Sequence, residues 1–394
     1  MVRRLGEYDQ YPGGQFLENS ELGMDPAERD NLFKKWVVER WKKFSINYAG
    51  FDTKDPELLK DIEEDRQREG ELQEKWQAEK ESRGDRENPM GEYFEYALAQ
   101  GIHAENWLGD QNDVPQVEVV KTSEGDDHRR QTDLALIFTG EDGQPISLAV
   151  DAVCTDNPAI VREKINRNFK AIARGYLPAE LKFFQSEDFP ELDRRQKMPR
   201  VVIGVTSSEG KKLLEMFAGK IKKRNSRLKR SGQLNTSIEE MTEAGEENND
   251  WISQTAKEQI QSQLAASLEL AVAKLVGSVH KTQSKEISKT LEQLRRYREK
   301  LKANNNVPEE AGSQDFLELV KILKNQEPAI REASQDKPAL AENIYRHLEV
   351  LDHVLKNIPK KTSSADQAGE ARESRDAVHE SLVVANKEHY HDLF

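Results

Sequence analysis

Three carboxylate residues stand where the sequence could bring acidic side chains together for chemistry. Asp133 directly precedes the apolar run 134–138, and Asp151 lies inside the second apolar run, 146–155. Both runs are typical of strands joined by a turn, so the two aspartates can lie on adjacent strands of one hairpin. Glu95 lies on a helix predicted just before these strands. We expect the carboxylates of Asp133 and Asp151 to converge at one solvent-reachable cleft, with Glu95 close by.

The chemistry predicted for this group is cation binding. A charged aspartate within the run 148–153 is unfavourable if it faces the core without a partner. Asp151 is therefore expected to be solvated, hydrogen-bonded or bound to a cation. Carboxylate oxygens held close together suit Mg²⁺, and such an ion can polarise a phosphodiester and activate water. The alternative is structural: Asp133 is an ordinary residue at the start of a strand, and Asp151 pairs with a buried basic side chain.

The elements that would position these residues form a predicted α/β core. The pattern of apolar residues predicts an α-β-β-β-α-β-α order, a mixed α/β fold flanked by helical regions at both ends. The predicted elements are a helix 90–101 ended by Gly101, strands 114–121, 133–138 and 146–155, a helix 158–176, a strand 200–205 and a helix 207–224. The apolar stripe of the helix 158–176 comprises Val161, Ile165, Phe169, Ile172 and Tyr176, and the helix is expected to pack on the sheet through the first four.

The rest of the chain divides by composition into further segments. They are a loose arm 1–24, charged helices 25–88, the core domain 89–230, an acidic mobile loop 231–250, a helical and coiled-coil region 251–359, and a polar tail 360–394 whose end can form a last helix. Within the helical region, Ile287, Leu291, Leu294 and Leu301 follow heptad spacing. This seam, 287–301, is a candidate surface for a protein partner or for self-association.

Charge is distributed unevenly along the chain. The formal net charge is −13, yet Lys197 to Arg230 contains 11 Lys and Arg against two acids. A basic block in an acidic protein is a candidate contact for DNA or RNA. The candidate nucleic-acid-binding residues are Lys211, Lys212, Lys220, Lys222, Lys223, Arg224, Arg227, Lys229 and Arg230. The alternative is that the block pairs with the acidic stretch 239–250 or with the charged helix 57–81.

Cysteine content and hydropathy exclude several classes of protein. Cys154 is the single cysteine of the 394 residues, so the chain has neither an internal disulfide framework nor a multi-cysteine zinc site. No run approaches the roughly 18 apolar residues of a membrane-spanning helix, and residues 1–11 lack the apolar segment of a secretory signal. The expected location is the cytoplasm, without membrane contact.

The predicted core resembles the restriction-endonuclease-like PD-(D/E)xK nuclease superfamily over residues 90–224, about a third of the chain. That family has an αβββαβ core with a Glu on the first helix, an Asp at the start of the second strand and an acid-x-Lys on the third. The matching positions are Glu95, Asp133 and Asp151, and Glu92 is an alternative to Glu95. The position of the family's lysine holds Val153.

The resemblance implies how the missing lysine could be replaced and what the domain does. Some members of the superfamily take the lysine from the following helix, where Lys164 lies beside the apolar stripe. The implied function is nucleic-acid cleavage, with Mg²⁺ or Mn²⁺ held by Glu95, Asp133 and Asp151, and with Lys164 steadying the phosphate or the attacking water. A non-catalytic interaction protein with the same fold is the alternative, favoured by Val153 and the heptad. The number of strands argues against a purely coiled-coil adaptor.

Overall fold

The fold described here is that of a computed structural model. It describes residues 41, 51, 55–83, 90–104, 107–108, 117–123, 125–127, 131–140, 142–186, 188–192, 194–213, 215–216, 250–278, 288–289, 292–293, 296, 320–335 and 337–356. The helices are α1 (Pro56–Arg83), α2 (Met90–Ala104), α3 (Pro158–Ala173), α4 (Asp250–Ser278), α5 (Glu327–Ala333) and α6 (Pro338–Lys356). The strands are β1 (Val117–Lys121), β2 (Leu134–Thr139), β3 (Pro145–Cys154), β4 (Ala179–Leu181), β5 (Gln196–Met198) and β6 (Arg200–Val205). Residues 207–213 and 320–325 are also helical.

Four strands form the central mixed sheet, in the order β1-β2-β3-β6. The first three are antiparallel to their neighbours, and β6 runs parallel to β3. The predicted pairing of 133–138 with 146–154 is confirmed, because Leu134 lies opposite Val150 and Phe138 opposite Ile146. The fold is therefore of mixed α and β content, as predicted. The small β4–β5 hairpin was not predicted, since its strands have only three residues each.

The sheet is buried on both faces, which explains why its strands are nearly all apolar. Side chains alternate along a strand, so Leu134, Leu136 and Phe138 join one hydrophobic cluster with α2, α3, α4 and α6. Ala135 and Ile137 join a second cluster with the β4–β5 hairpin and α1. The charged helix α1 contributes Leu58 and Ile62 to this second cluster, two of the sparse apolar anchors in its sequence.

Helix α3 follows β3 after a short turn and carries the predicted apolar stripe into the core. The side chain of Asn157 caps its first turn by accepting from the backbone N–H of Ala159, and Pro158 supplies the fixed φ suited to the first helical position. The predicted stripe is confirmed at four members, which are all buried: Val161, Ile165, Phe169 and Ile172. It is wrong at Tyr176, because the helix ends at Ala173 and that side chain is 61% exposed. The packing of this stripe fixes the rotation of α3 about its axis, and so determines which part of the sheet the Lys164 side chain can reach.

Helix α2 differs from its prediction at one end. It continues through Gly101 to Ala104, so the expectation that Gly101 ends the helix was wrong. The glycine is needed for close packing instead, because a Cβ at position 101 would lie only 2.2 Å from the indole ring of Trp107. The absence of a side chain lets Trp107 pack directly on the helix.

Helix α4 closes the edge of the sheet with two glutamines. The amide groups of Gln259 and Gln263 each donate to and accept from the backbone of β6, at Gly204 and Val202, over 2.6–2.9 Å. Four residues of helix advance about 6 Å and two residues of strand about 6.6 Å, so the two spacings match. Helices α4 and α6, from the predicted C-terminal region, thus pack directly with the sheet.

Several predicted segments lie outside the described residues. They are the arm 1–24, most of the first charged helix, the acidic loop 231–250 apart from Asp250, the tail 360–394, the end of helix 207–224, and most of the heptad seam 287–301. Within the described helices, none is both long and apolar enough to cross a lipid bilayer.

Candidate active site

Asp133 and Asp151 face each other across the β2–β3 hairpin. Leu134 lies opposite Val150, so one further step in register brings Asp133 opposite Asp151. The backbone N–H of Asp133 donates to the Val150 carbonyl at 3.0 Å. Its carboxylate reaches onto β3 as well, where Oδ2 accepts from the N–H of Ala152 at 2.6 Å. The hairpin thus brings together the two aspartates singled out in the sequence.

Both aspartates are buried, and burial governs their protonation. Asp133 is 6% exposed and Asp151 is 1% exposed, so neither lies in an open cleft. Burial raises the pKa of Asp133 well above its ordinary value, and the negative charges of Glu95, Asp127 and Asp151 raise it further. Burial also raises the pKa of Asp151, against the opposing effect of Lys164. The region thus concentrates negative charge where it is poorly solvated.

Lys164 reaches Asp151 from helix α3. Its Nζ lies 2.5 Å from Asp151 Oδ1, and its side chain is 22% exposed. The contact forms because the apolar stripe of α3 packs into the core and leaves Lys164 at the flank of the helix next to β3. The lysine inferred from the family resemblance is therefore in contact with one predicted site carboxylate, while Val153 is buried in the hydrophobic core.

Glu95 joins the cluster indirectly. Its Oε2 accepts from Trp41 Nε1 at 3.0 Å and pairs with Lys121 Nζ at 3.3 Å. Its charge acts on Asp133 and raises the pKa of that carboxyl, so the glutamate predicted first for the site does influence the aspartate pair. Its carboxylate is held by Trp41 and Lys121 and acts on Asp133 through its charge.

Lys121 is a member of the cluster that the sequence analysis missed. It ends β1 opposite Leu134, and its Nζ also lies 3.9 Å from Asp127 Oδ2 and 4.7 Å from the centre of the Trp41 ring. Burial lowers its pKa, but the charges of Glu95, Asp127 and Asp133 outweigh burial and raise it. The sequence does contain a signal for this lysine. Lys121 follows Val117 and Val119 at every second position, so it lies on the same, apolar face of the strand.

Arg200 is the second cation that was missed. Its Nε donates to Asn168 Oδ1 at 2.6 Å and its Nη1 to the Gln131 carbonyl at 3.4 Å. Its charge lowers the pKa of Asp151. Gln131 has a φ of 55°, in the left-handed region that non-glycine residues seldom adopt. This uncommon backbone conformation lies two residues before Asp133.

The group defined by Glu95, Asp133, Asp151, Lys121 and Lys164 is hereafter the carboxylate site. Among the residues that the structure describes, no set of three or more His, Cys, Asp and Glu side chains is arranged to hold a metal ion. Mg²⁺, however, is usually held by one or two carboxylates together with waters and substrate phosphates. Asp133 and Asp151 suit this two-carboxylate type of Mg²⁺ site, because a cation would reduce the electrostatic repulsion between the two neighbouring buried carboxylates. Glu95 is engaged by Lys121 and Trp41.

The predicted nucleic-acid contact is described only at its beginning. Lys211 and Lys212 are exposed on the helix 207–213 that follows β6. The remaining members lie outside the described residues: Lys220, Lys222, Lys223, Arg224, Arg227, Lys229 and Arg230. The side chains of both described lysines therefore lie at the protein surface.

No protein-family model, curated protein or solved structure matches this chain. What the chain does must be argued from the carboxylate site and the elements that hold it.

Proposed function

We propose that the domain is a nuclease-like hydrolase of the PD-(D/E)xK type that acts on nucleic-acid phosphodiesters with Mg²⁺ or Mn²⁺. The observation that carries the proposal is the pairing of Asp133 with Asp151 across β2–β3, with Lys164 in contact with Asp151. The order α2, β1, β2, β3, α3 and then β6 supports it, because it matches the αβββαβ core of that superfamily once the β4–β5 hairpin is set aside.

The residues of the carboxylate site divide the work in this proposal. Asp133 and Asp151 hold the cation, and a bound divalent ion would polarise the phosphodiester and lower the pKa of a water molecule. Lys164 steadies the scissile phosphate with its ammonium group. Lys121 and Trp41 fix Glu95 next to the aspartate pair. The left-handed conformation of Gln131 supports a functional role, because uncommon backbone geometry clusters at functional sites.

Substrate is gripped in this proposal by the basic block that follows β6. Lys211 and Lys212 begin it, and Lys220, Lys222, Lys223, Arg224, Arg227, Lys229 and Arg230 continue it along the chain. Contacts of this kind neutralise backbone phosphates, so binding should weaken steeply as salt is raised. Replacing Lys222, Lys223 and Arg224 by Glu should weaken binding to all sequences alike, because phosphate contacts do not read bases.

A second candidate function is a non-catalytic interaction protein built on the same fold. Two observations favour it. The family's lysine position holds Val153, which is only 6% exposed, and the carboxylates of Glu95, Asp133 and Asp151 already contact donors of the chain itself. In this alternative the heptad seam 287–301 binds a protein partner or a second copy of the chain.

A cleavage assay with a matched control separates the two candidates. Single- and double-stranded DNA and RNA are incubated with the full chain and Mg²⁺ or Mn²⁺, and the Asp151→Asn variant is compared with Asp142→Asn. Asp142 is an exposed carboxylate in the turn of the same hairpin. We expect the wild type to cleave in a metal-dependent manner. Asp151→Asn should lower the cleavage rate by about 100-fold or more, the scale of losing a main electrostatic contributor. Asp142→Asn should retain the wild-type rate. Salt-dependent binding without cleavage would favour the non-catalytic alternative.

A further inference from the structure

The contact between Lys164 and Asp151 raises the question of what the lysine does while no cation is bound. Asp151 is almost fully buried, with a side chain 2% exposed, whereas that of Lys164 is 22% exposed. A buried carboxylate that loses the cation paired with it is strongly destabilising. Lys164 forms a direct ion pair with Asp151 within the part of the chain that the structure describes. Arg200 and Arg167 act on Asp151 through their charge.

The other carboxylate of the pair is held in a different way. Asp133 Oδ2 accepts from the backbone N–H of Ala152, a donor that cannot move without disturbing β3. Lys164 sits on a flexible four-carbon stem and remains partly open to solvent. Of the groups that contact the two aspartates, the Lys164 ammonium is thus the one that can be exchanged while the sheet stays intact.

We infer that Lys164 and a divalent cation compete for the carboxylate of Asp151. Lys164 is the built-in counter-ion of the metal-free site, and it leaves Asp151 when the ion binds. The inference rests on the proposed function, whose regulation it concerns: metal affinity is set low by the chain itself, because binding must first displace the lysine. The released ammonium is then free to meet the phosphate.

Metal binding by the full chain tests the competition directly. Mn²⁺ affinity is measured by isothermal titration calorimetry for the wild type, for Lys164→Met and for the control Arg167→Met. Arg167 acts on the same aspartate through its charge but pairs with Glu163. We expect Lys164→Met to bind Mn²⁺ about tenfold more tightly, which corresponds to about 1.4 kcal/mol, and Arg167→Met to change the affinity much less.

A second measurement uses the wild type and so does not depend on how the variant folds. The rate at which an acylating reagent modifies Lys164 is followed by mass spectrometry with and without Mn²⁺, with the exposed Lys170 of the same helix as internal reference. We expect Mn²⁺ to raise the modification rate of Lys164 relative to Lys170, because the ammonium leaves its carboxylate.

The outcomes distinguish this inference from the proposed function. Wild-type binding of Mn²⁺ with unchanged or weaker binding by Lys164→Met, or with unchanged Lys164 reactivity, overturns the competition and leaves the proposed metal site standing. Equal gains in Lys164→Met and Arg167→Met also overturn it, because they would reflect general repulsion. Absence of Mn²⁺ binding in the wild type and in both variants overturns the competition and the metal-dependent function together.

Discussion

Two ionic clusters on this chain, one buried and one partly exposed, contain similar residue types but shift the pKa of their aspartates in opposite directions. The carboxylate site lies at the ends of β1, β2 and β3. The second cluster, here called the clasp, comprises Asp61 and Asp65 of α1 with Lys182, Arg194 and Arg195 near the β4–β5 hairpin. The pKa of Asp133 is raised well above its ordinary value, whereas that of Asp61 is lowered to about 2.

The difference follows from the ratio of cations to carboxylates. Asp61 has Arg195 at 2.6 Å, Lys182 at 3.0 Å and Arg194 at 3.4 Å, and these contacts outweigh the effect of burial on its pKa. Asp133 is buried with three other acids acting on it, and the charges of Lys164, Lys121 and Arg200 do not offset burial and those acids, so its pKa stays raised. The clasp joins α1 to the region of the β4–β5 hairpin, and its cations balance the charge of its carboxylates. The carboxylate site, in contrast, holds negative charge in excess. Such unmet charge marks candidate functional sites.

The largest expected effect is the loss of a cation from the carboxylate site. Lys121→Met leaves Glu95 without its buried counter-ion, so the free energy of unfolding should fall by about 3 kcal/mol. The matched change in the clasp is Arg195→Met. Arg195 is 53% exposed and Asp61 keeps two other cations, so the loss should stay below about 1 kcal/mol. Urea unfolding of both variants measures the contrast, and equal losses would contradict it.

A smaller effect is expected when the clasp loses its carboxylate charge. Asp61→Asn should lower the free energy of unfolding by about 1 kcal/mol at neutral pH, a value reduced for partial exposure to solvent. Because the pKa of Asp61 is lowered in the folded state, its contribution is complete above the ordinary value of 3.8. It is lost as the pH falls from there towards 2. Unfolding of wild type and variant between pH 7 and pH 3 should show the difference shrinking below pH 4. A difference that grows on acidification would contradict the assignment.

The smallest effect concerns salt. Raising the salt concentration from 0.1 to 1 M shortens the screening length from about 10 to about 3 Å. The partly exposed clasp should therefore lose some tenths of a kcal/mol, measured as a smaller difference between wild type and Asp61→Asn. The buried Lys121–Glu95 pair should change less, so the effect of Lys121→Met should be nearly the same at both concentrations. Stronger screening at Lys121 would show that the carboxylate site is open to solvent.

The sequence alone predicts the central hairpin well, because strong apolar runs separated by a turn indicate strands 133–138 and 146–155, within one residue of the observed β2 and β3. It predicts the facing pair Asp133 and Asp151 for the same reason, since a hairpin fixes register. The apolar stripe of α3 also places Lys164, although the family resemblance was needed to give it a role.

The cations that complete the site were harder to predict. Lys121 and Arg200 are single charged residues at the ends of apolar strands. The position of Lys121 in line with Val117 and Val119 indicates an inward side chain, but only the fold shows that the two cations meet Glu95 and Asn168. Trp41 comes from a segment far from the core in sequence, so no local pattern connects it with Glu95. The buried character of the aspartates was also missed, because burial on both sheet faces depends on α1 and the β4–β5 hairpin.

The central claim is that the carboxylate site holds excess negative charge. Its most direct test is whether Asp133→Asn raises or lowers the free energy of unfolding at pH 7.5, with Asp61→Asn in the clasp as the comparison. Because burial and neighbouring acids disfavour the ionised form of Asp133, its neutral isostere should raise the free energy of unfolding. The gain should exceed the roughly 0.5 kcal/mol of ordinary surface substitutions and should shrink as the pH falls, since the wild type then binds a proton in the folded state. Asp61→Asn should lower the free energy of unfolding. A loss of stability in both variants would contradict the claim that the carboxylate site holds excess negative charge.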